Sequence, residues 1–453
     1  MATEAAVSLH PSYVSAVKGN PAFLLRSGIN FISEKIEMME KNVLLPFPLE
    51  VDVPLPEATL SERLWMTRKK MSGHLKLKRS LARIYELYEA TKHEDSKPFR
   101  QVVRELHCWV SSGKAFPVRM LINYYFQFRL QYKGADSSGY VFESEWLKYA
   151  QPLLRYAGNE CAVLNNKDSA WHAFVRQGLS VPRRFGFLGV ENGIPLVRTA
   201  GQSEVIPLSQ FLRDRCPRIF VKPAGGMKGE SAFLVEWVDD ERCRVSGNIM
   251  RVDEFSSLIT PPLLVEEAVR QHPAIAALHP ESLNTLRLVT MRGADGRSRY
   301  IAGMQRMGIK EMHLDNLSQG GLAVGIDPAG ILRKWGYTED PRKKGVSSHP
   351  DTGIVFKGRR IPFWRETVDL ACRAHEGFPC IHNVGWDIAV TAEGPVLIEA
   401  NCSYGMLEIQ LIDHGLRGAF ETILRPAALA VMQRGRSDNR LMFINRIFRR
   451  TFL

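Results

Sequence analysis

Two strand-like runs, GWDIAVT and PVLIEAN, constrain this chain more than any other feature. They flank AEG, a turn-like segment whose Gly394 can take the left-handed conformation of a three-residue hairpin loop. In that register Asp387 stands opposite Glu399. The two-residue period of a strand also puts Glu399 and Asn401 on one face. Two carboxylates and an amide oxygen then converge from adjacent strands. Facing acids repel, so the pairing needs a cation or a protonated carboxyl. Oxygen donors of this kind suit magnesium, which takes one or two carboxylates together with phosphates and waters. A hairpin with polar residues on its solvent face is the plainer alternative.

Three further segments bear chemistry-capable residues. In FVKPAGGMKGESAFLV, Lys222 closes one apolar strand. A loop with Gly225, Gly226, Lys228, Gly229 and Ser231 then leads into another strand. Glycines let backbone N–H groups approach phosphate oxygens and lysines supply charge. The loop lacks the GK[ST] of a Walker A motif and runs into a strand, not a helix. A flexible Gly-rich hairpin explains it equally well. PPLLVEEAV is an apolar strand ending in Glu266 and Glu267, suited to a hinge that meets a nucleoside. An exposed strand end is its simpler reading. In SLNTLRLVTMRG, Arg287 sits one step into an apolar strand, where a guanidinium needs a phosphate, an oxyanion or a salt-bridge partner.

At 453 residues the chain exceeds what one core usually organises, so two or three lobes are expected. Residues 1–155 read as mostly helical. SLARIYELYEATKH sets Leu81, Ile84, Leu87 and Tyr88 at helical spacing, and FPVRMLINYYFQFRLQY repeats the stripe. Pro46, Pro48, Pro54 and Pro56 mark a loop. From about 160 onward, short β-branched runs alternate with turns and a few helices. That texture predicts α+β lobes with largely antiparallel sheets. The segment 431–453 is basic and apolar together, and reads as an amphipathic helix or a surface contact.

Seven scattered cysteines, with no CxxC pair and no zinc-finger spacing, suit a reducing compartment. No apolar run approaches a membrane span, and MATEAAVSLH lacks the features of a secretory signal. A soluble cytoplasmic protein is expected. The net charge of +12 favours polyanionic partners. Part of it lies in Arg63, Arg68, Lys69, Lys70, Lys76, Lys78, Arg79 and Arg83, which form either a solvated helix face or a patch for an anionic surface.

The order of these features resembles the ATP-grasp superfamily: an early Lys in NNKD, a strand Lys before a Gly-rich hairpin, LVEE, a strand Arg, then D…E-x-N. LNTLRLVT, DNLSQGGLAVGID, HPDTG and VGWDIAVTAEGPVLIEAN are similar to its sugar-transfer-associated branch. The resemblance spans roughly residues 160–425 and gives the first 150 residues nothing. It implies a nucleotide clamped between two α+β lobes, with an ATP-grasp domain over 156–430. By motif position, Lys167, Lys222 and the loop Gly225–Ser231 would hold phosphates, and Glu266 and Glu267 the adenosine. Asp387, Glu399 and Asn401 would bind magnesium, with Glu399 bridging two ions. Arg287 would stabilise the transferring phosphoryl group or the acyl intermediate.

Most members of that superfamily activate a carboxylate as an acyl phosphate for attack by an amine or similar nucleophile. The leading expectation is therefore an ATP- and magnesium-dependent carboxylate–amine ligase acting on small or carrier-linked substrates. A small-molecule kinase and a nucleotide-switched binder of polyanions are the alternatives. Asn316, Gly320 and Gly321 are read either as a wall around phosphate or substrate, or as a plain turn. His349 and Asp351 are candidate acceptor contacts.

Overall fold

The computed structural model describes residues 71–111, 118–133, 135, 137–200, 204–225, 232–259, 262–293, 295–340, 342–412 and 415–434. Short apolar runs separated by turn residues fold into two antiparallel sheets. The first contains β1 (Arg184–Glu191), β2 (Ile194–Thr199), β3 (Val205–Pro207) and β4 (Arg218–Pro223). It also contains β5 (Phe233–Trp237), β6 (Arg242–Val245), β7 (Asn248–Arg251) and β8 (Leu263–Glu267). The strand order is β3-β2-β1-β8-β4-β5-β6-β7. One face is apolar and carries its own core of Leu188, Val197, Val221 and Val235 against Phe211 and Phe255.

The second sheet comprises β9 (Leu286–Arg292), β10 (Ser298–Met307), β11 (Leu322–Ile326), β12 (Leu332–Tyr337), β13 (Asn383–Thr391) and β14 (Gly394–Asn401). Its order is β12-β11-β10-β9-β13-β14. LRLVTMR and NVGWDIAVT lack apolar–polar alternation because β9 and β13 are buried along their whole length, as strands covered on both faces are. Alternate side chains enter separate cores. Leu286, Leu288, Val384, Trp386 and Ile388 pack with Leu370, Ala371 and Ala374 of the helix Trp364–Glu376. Val289, Met291, Ala302 and Met304 pack on the opposite face with Trp146, Tyr149 and Phe420. Trp386 is fully buried, with its indole N–H donating to Thr290 Oγ1 at 2.7 Å. Truncating such a side chain to alanine costs about 3–5 kcal/mol.

The described part of the N-terminal region is helical, as its periodicity predicts. The helices Leu81–Thr91, Phe99–Ser111 and Val118–Gln127 bury Ile84, Leu106, Leu121, Tyr125 and Phe126 together. Leu81, placed on the same stripe, is exposed. Lys334 on β12 ties this layer to the second sheet through Glu94 and Asp95, 2.8 Å from each. The buried Arg129 adds a bond to the Asp340 carbonyl at 2.9 Å. A break at Gly158 (φ 38°, ψ −109°) interrupts the helix Glu143–Asn165, within which the expected boundary at 155 falls.

Of the basic run, Arg63, Arg68, Lys69 and Lys70 lie outside the described residues, as does the tail from 435 onward. Lys76, Lys78 and Arg79 are exposed, and Arg83 donates to Asn123 Oδ1 at 3.0 Å. No helix among the described residues is long and apolar enough to cross a membrane.

Candidate functional site

The hairpin reaches the expected pairing by another route: its turn has two residues, not three, and a bulge at Ile398 separates Leu397, opposite Ile388, from Glu399, opposite Asp387. β13 and β14 pair with Asp387 opposite Glu399 and Gly385 opposite Asn401, so both acids and the amide share one face. Ala392 and Glu393 make the turn, and Gly394, at φ 130°, already belongs to β14. On the other side of β13, Asp387 is opposite Arg287 of β9. Arg287 Nε lies 2.7 Å from Asp387 Oδ1, and its Nη2 donates to Oδ2 at 3.3 Å. Arg306 of β10 approaches the same carboxylate, with Nη2 3.1 Å from Oδ2. Lys167 Nζ lies 3.6 Å from Glu399 Oε1. The repulsion expected between the facing acids is thus offset by the chain's own cations. Their pairing does not by itself demand a metal.

Sequence reasoning missed Arg306 and Asp315. Arg306 Nη2 donates to Thr285 Oγ1 at 2.6 Å and lies 3.5 Å from Asp315 Oδ1. Thr285 gives both its N–H (2.6 Å) and its hydroxyl (2.5 Å) to Asp315 Oδ2. Burial alone would lower the Arg306 pKa, but Asp315 and Asp387 hold it above the ordinary arginine value. The signal was available, because Arg306 lies in the apolar strand SRYIAGMQRM just as Arg287 does in LRLVTMR.

A second cluster forms on the first sheet. Lys222 is buried, with Nζ 2.7 Å from Glu266 Oε2. Arg184, at the start of β1, holds the other Glu266 oxygen at 2.6 Å and Asp168 Oδ1 at 2.5 Å, and stacks 4.7 Å from Trp171. Burial would raise the Glu266 pKa, yet Lys222 and Arg184 carry it below the usual glutamate value. Strand alternation separates the two candidate acids: Glu266 is buried and Glu267 exposed. The helix Lys167–Arg176 starts at Asn166, whose side chain accepts from Asp168 N–H and Ser169 N–H at 3.1 and 3.0 Å. The Lys167 N–H bonds to the Ala224 carbonyl beside Gly225. Gly226, Lys228, Gly229 and Ser231 lie outside the described residues.

A narrow crevice lies between the sheets. Lys167, Trp171, Arg184, Glu266, Ile398 and Glu399 are among its lining residues.

The remaining candidates lie in turns and loops. Asn316 caps the short turn Leu317–Gln319, accepting from Ser318 N–H at 3.2 Å. Gly320 has a left-handed conformation (φ 105°). A Cβ on Gly321 would lie 2.9 Å from the Asn316 carbonyl oxygen. Asp315 is the residue of DNLSQGG that joins the Arg306 cluster. The expectation of an acceptor contact at His349 meets a ring with no exposed surface, bonded to the Gly308 carbonyl at 2.9 Å. Asp351 receives the Lys310 N–H at 2.5 Å, pinning the same two loops. Cys402 packs in the core beside Cys161; that thiol and burial push its pKa up, as befits a packing residue.

Residues 151–424, more than half of the chain, match the family model described as sugar-transfer associated ATP-grasp. The chain belongs to this ATP-grasp family. Its two α+β lobes are the ATP-grasp fold, with the helical N-terminal region in front. Solved structures with similarity include carboxyaminoimidazole ribonucleotide synthase from Aspergillus clavatus complexed with ATP. That match has 12% identity and TM-score 0.34, over 58% of this chain and 54% of that one. Another is the biotin carboxylase–β-γ-ATP complex from Campylobacter jejuni, with 10% identity and TM-score 0.33 over 55% and 42%. A third is N5-carboxyaminoimidazole ribonucleotide synthetase from Thermotoga maritima, with 10% identity and TM-score 0.29 over 53% and 42%. The chain spans about half the length of these solved structures or less. No curated protein matches it.

Proposed function

We propose that this ATP-grasp protein is a ligase that uses ATP to activate a carboxylate for attack by an amine or similar nucleophile. The observation that carries this reading is the shared face of Arg287, Arg306, Asp387, Glu399 and Asn401, where Glu399 also meets Lys167 at the crevice that Arg184 and Glu266 line. Phosphate-binding cations and oxygen donors then converge on one place, as phosphoryl transfer requires.

The residues fit magnesium. Among the described residues no group of three or more His, Cys, Asp or Glu side chains could hold a metal. The chain offers two carboxylates and an amide, the partial set that suits an ion sharing its shell with phosphates and water. Asp387 Oδ1 is buried and, although close to Arg287 Nε, is not aligned with any hydrogen-bond donor. Asp387, Glu399 and Asn401 would hold magnesium, which when bound neutralises charge on the nucleotide phosphates. Lys222 and Lys167 would bind those phosphates, the loop Gly225–Ser231 would cover them, and Glu266 would act from the first sheet.

In the proposed reaction a substrate carboxylate oxygen forms a bond to the γ-phosphorus as the β–γ bridging P–O bond breaks. ADP carries away that electron pair. A neutral amine then attacks the acyl carbon, inorganic phosphate leaves, and the amine loses a proton. Arg287 would stabilise the oxyanion of the second step.

The test is magnesium-dependent ATP turnover by the full chain on pooled carboxylates and amines, with ADP resolved from AMP and products weighed. ADP and phosphate formed together with a condensed product support the ligase. A phosphorylated hydroxyl replaces it with a kinase. Nucleotide binding without turnover on any pool favours the polyanion-switch alternative.

A further inference from the structure

Residues 71–91 are helical apart from a turn at Ser80. Leu77 and Ile84, seven positions apart, are fully buried in the N-terminal core. A Cβ on Gly73 would lie 2.8 Å from Val110 Cγ1, so this side of the helix is packed closely. The opposite side is apolar as well. Met71, Leu75 and Tyr85 are 71%, 53% and 51% exposed, and Leu81 is 36% exposed. Met71, Leu75, Lys78, Ala82 and Tyr85 recur at i, i+4, i+7, i+11 and i+14, the spacing of one helical stripe, and all five are exposed.

No acidic residue lies between Met71 and Tyr85, whereas Lys76, Lys78 and Arg79 are exposed there. The helix Phe99–Ser111 runs antiparallel alongside. Its His107 Nδ1 lies 3.0 Å from His74 Nδ1, and its Phe99 meets Tyr85 edge-on with centroids 5.3 Å apart. It adds the exposed Arg100 and Arg104, and its one acid, Glu105, is neutralised by the buried Lys97 at 2.9 Å. Isolated exposed apolar residues are ordinary, but a row of them edged by cations marks a surface with a partner.

We propose that this face docks on an anionic lipid surface. Met71, Leu75 and Tyr85 enter the boundary of the acyl chains, and Lys76, Lys78 and Arg79 meet the phosphate headgroups. Apolar side chains that sink below a plane of negative charge, with long basic side chains reaching back to it, match such a surface at both depths. A nucleic acid would use the cations but leave Met71 and Leu75 in water. A second copy of the chain would set these cations against one another. The residues after 434 match no better, with five arginines to one acid. The inference goes beyond the ligase reading and does not depend on it.

The experiment is co-sedimentation of the full chain with vesicles of phosphatidylcholine alone and of phosphatidylcholine mixed with phosphatidylglycerol, at low and high salt. The account expects binding to the mixed vesicles only, weakened by salt. The combined variant Lys76→Gln, Lys78→Gln and Arg79→Gln should lower that affinity at least about tenfold, since each basic side chain near a charged bilayer is worth about fivefold. The pair Met71→Ser and Leu75→Ser should also lower it about tenfold while keeping its salt dependence. Thermal midpoints should stay at the wild-type value, because all five side chains are exposed. Equal binding to both kinds of vesicle, binding to neither, or lipid affinity untouched by either variant would overturn the proposal. Duplex DNA bound as tightly as the mixed vesicles, with the serine pair harmless to both, would make the face a general polyanion patch instead. A wild-type dimer that the serine pair dissociates would assign the face to a second copy. A lowered thermal midpoint in either variant would assign it to the chain's own residues.

Discussion

Arg287 and Asp387 face each other across the β9–β13 ladder, guanidinium Nε 2.7 Å from carboxylate Oδ1, and both side chains are about nine-tenths buried. With Arg306 on the same carboxylate, the acid proposed for magnesium is held by two arginines. Breaking a buried pair leaves uncompensated charge. Asp387→Asn should therefore destabilise the protein by about 3 kcal/mol, seen as a lower denaturant midpoint. It should also abolish magnesium-dependent turnover. A variant as stable as wild type would mean that the arginines find other partners.

Lys222→Ala removes one of two cations on the buried Glu266. Because Arg184 remains, the stability loss should stay below the ~3–5 kcal/mol of a fully broken pair. Nucleotide affinity should fall at least about tenfold, ~1.4 kcal/mol. Calorimetry with ADP checks it, and unaltered affinity would displace the phosphate site from β4.

Gly385→Ala tests the packing at the sheet face. The added methyl group would meet Arg287 Nη1 and the Tyr404 ring at 2.9 Å, closer than such contacts tolerate. Overpacking of this kind costs about 1–3 kcal/mol. Turnover should fall further than stability does, because Arg287 must shift to make room. Full activity with a normal thermal midpoint would show that the face is looser than described.

Stability should fall in mild acid because of His375. This fully buried ring contacts Thr290 Oγ1 at 2.7 Å and the Ile381 carbonyl at 3.0 Å, an arrangement suited to its neutral form. Burial lowers its pKa from 6.5 to about 3. Above pH 6.5 neither folded nor unfolded chain carries this proton. Between pH 6.5 and 3 the unfolded chain binds it and the folded chain does not, so stability drops as pH falls, by about 2 kcal/mol at pH 5. Urea midpoints of wild type and His375→Gln at pH 7 and pH 5 measure it. The variant should lose less than wild type; equal losses would contradict the assignment.

How much of this was legible in the sequence follows from how local each signal is. The Asp387–Glu399 pairing was legible only through a three-residue loop that the structure does not have: the two-residue turn would set Asp387 opposite Ile398, and a bulge there, which strand period does not reveal, restores the pairing. The strands of the second sheet were legible as short apolar runs between turn residues, but their burial on both faces was not. Arg184, Arg306 and Asp315 were missed because their partners are distant in sequence: Glu266, Asp387 and Thr285 lie 82, 81 and 30 positions away. DNLSQGG drew notice through Asn316 and its glycines, whereas the neighbouring Asp315 enters the cluster. Which residue of a turn points inward is decided by the surface that the turn packs on. His349, named as a candidate acceptor contact, is likewise turned inward, its ring bonded to the Gly308 carbonyl.

The most direct test is the effect of magnesium on ADP affinity in wild type and Glu399→Gln, measured by calorimetry. Glu399 makes a long contact with Lys167 (3.6 Å), and its side chain is 30% exposed, so the substitution should barely touch stability. The account predicts that magnesium tightens ADP binding to wild type and that Glu399→Gln loses most of this gain, about tenfold or ~1.4 kcal/mol, at an unchanged thermal midpoint. The same magnesium-dependent gain in both proteins would contradict a metal site on the β13–β14 hairpin.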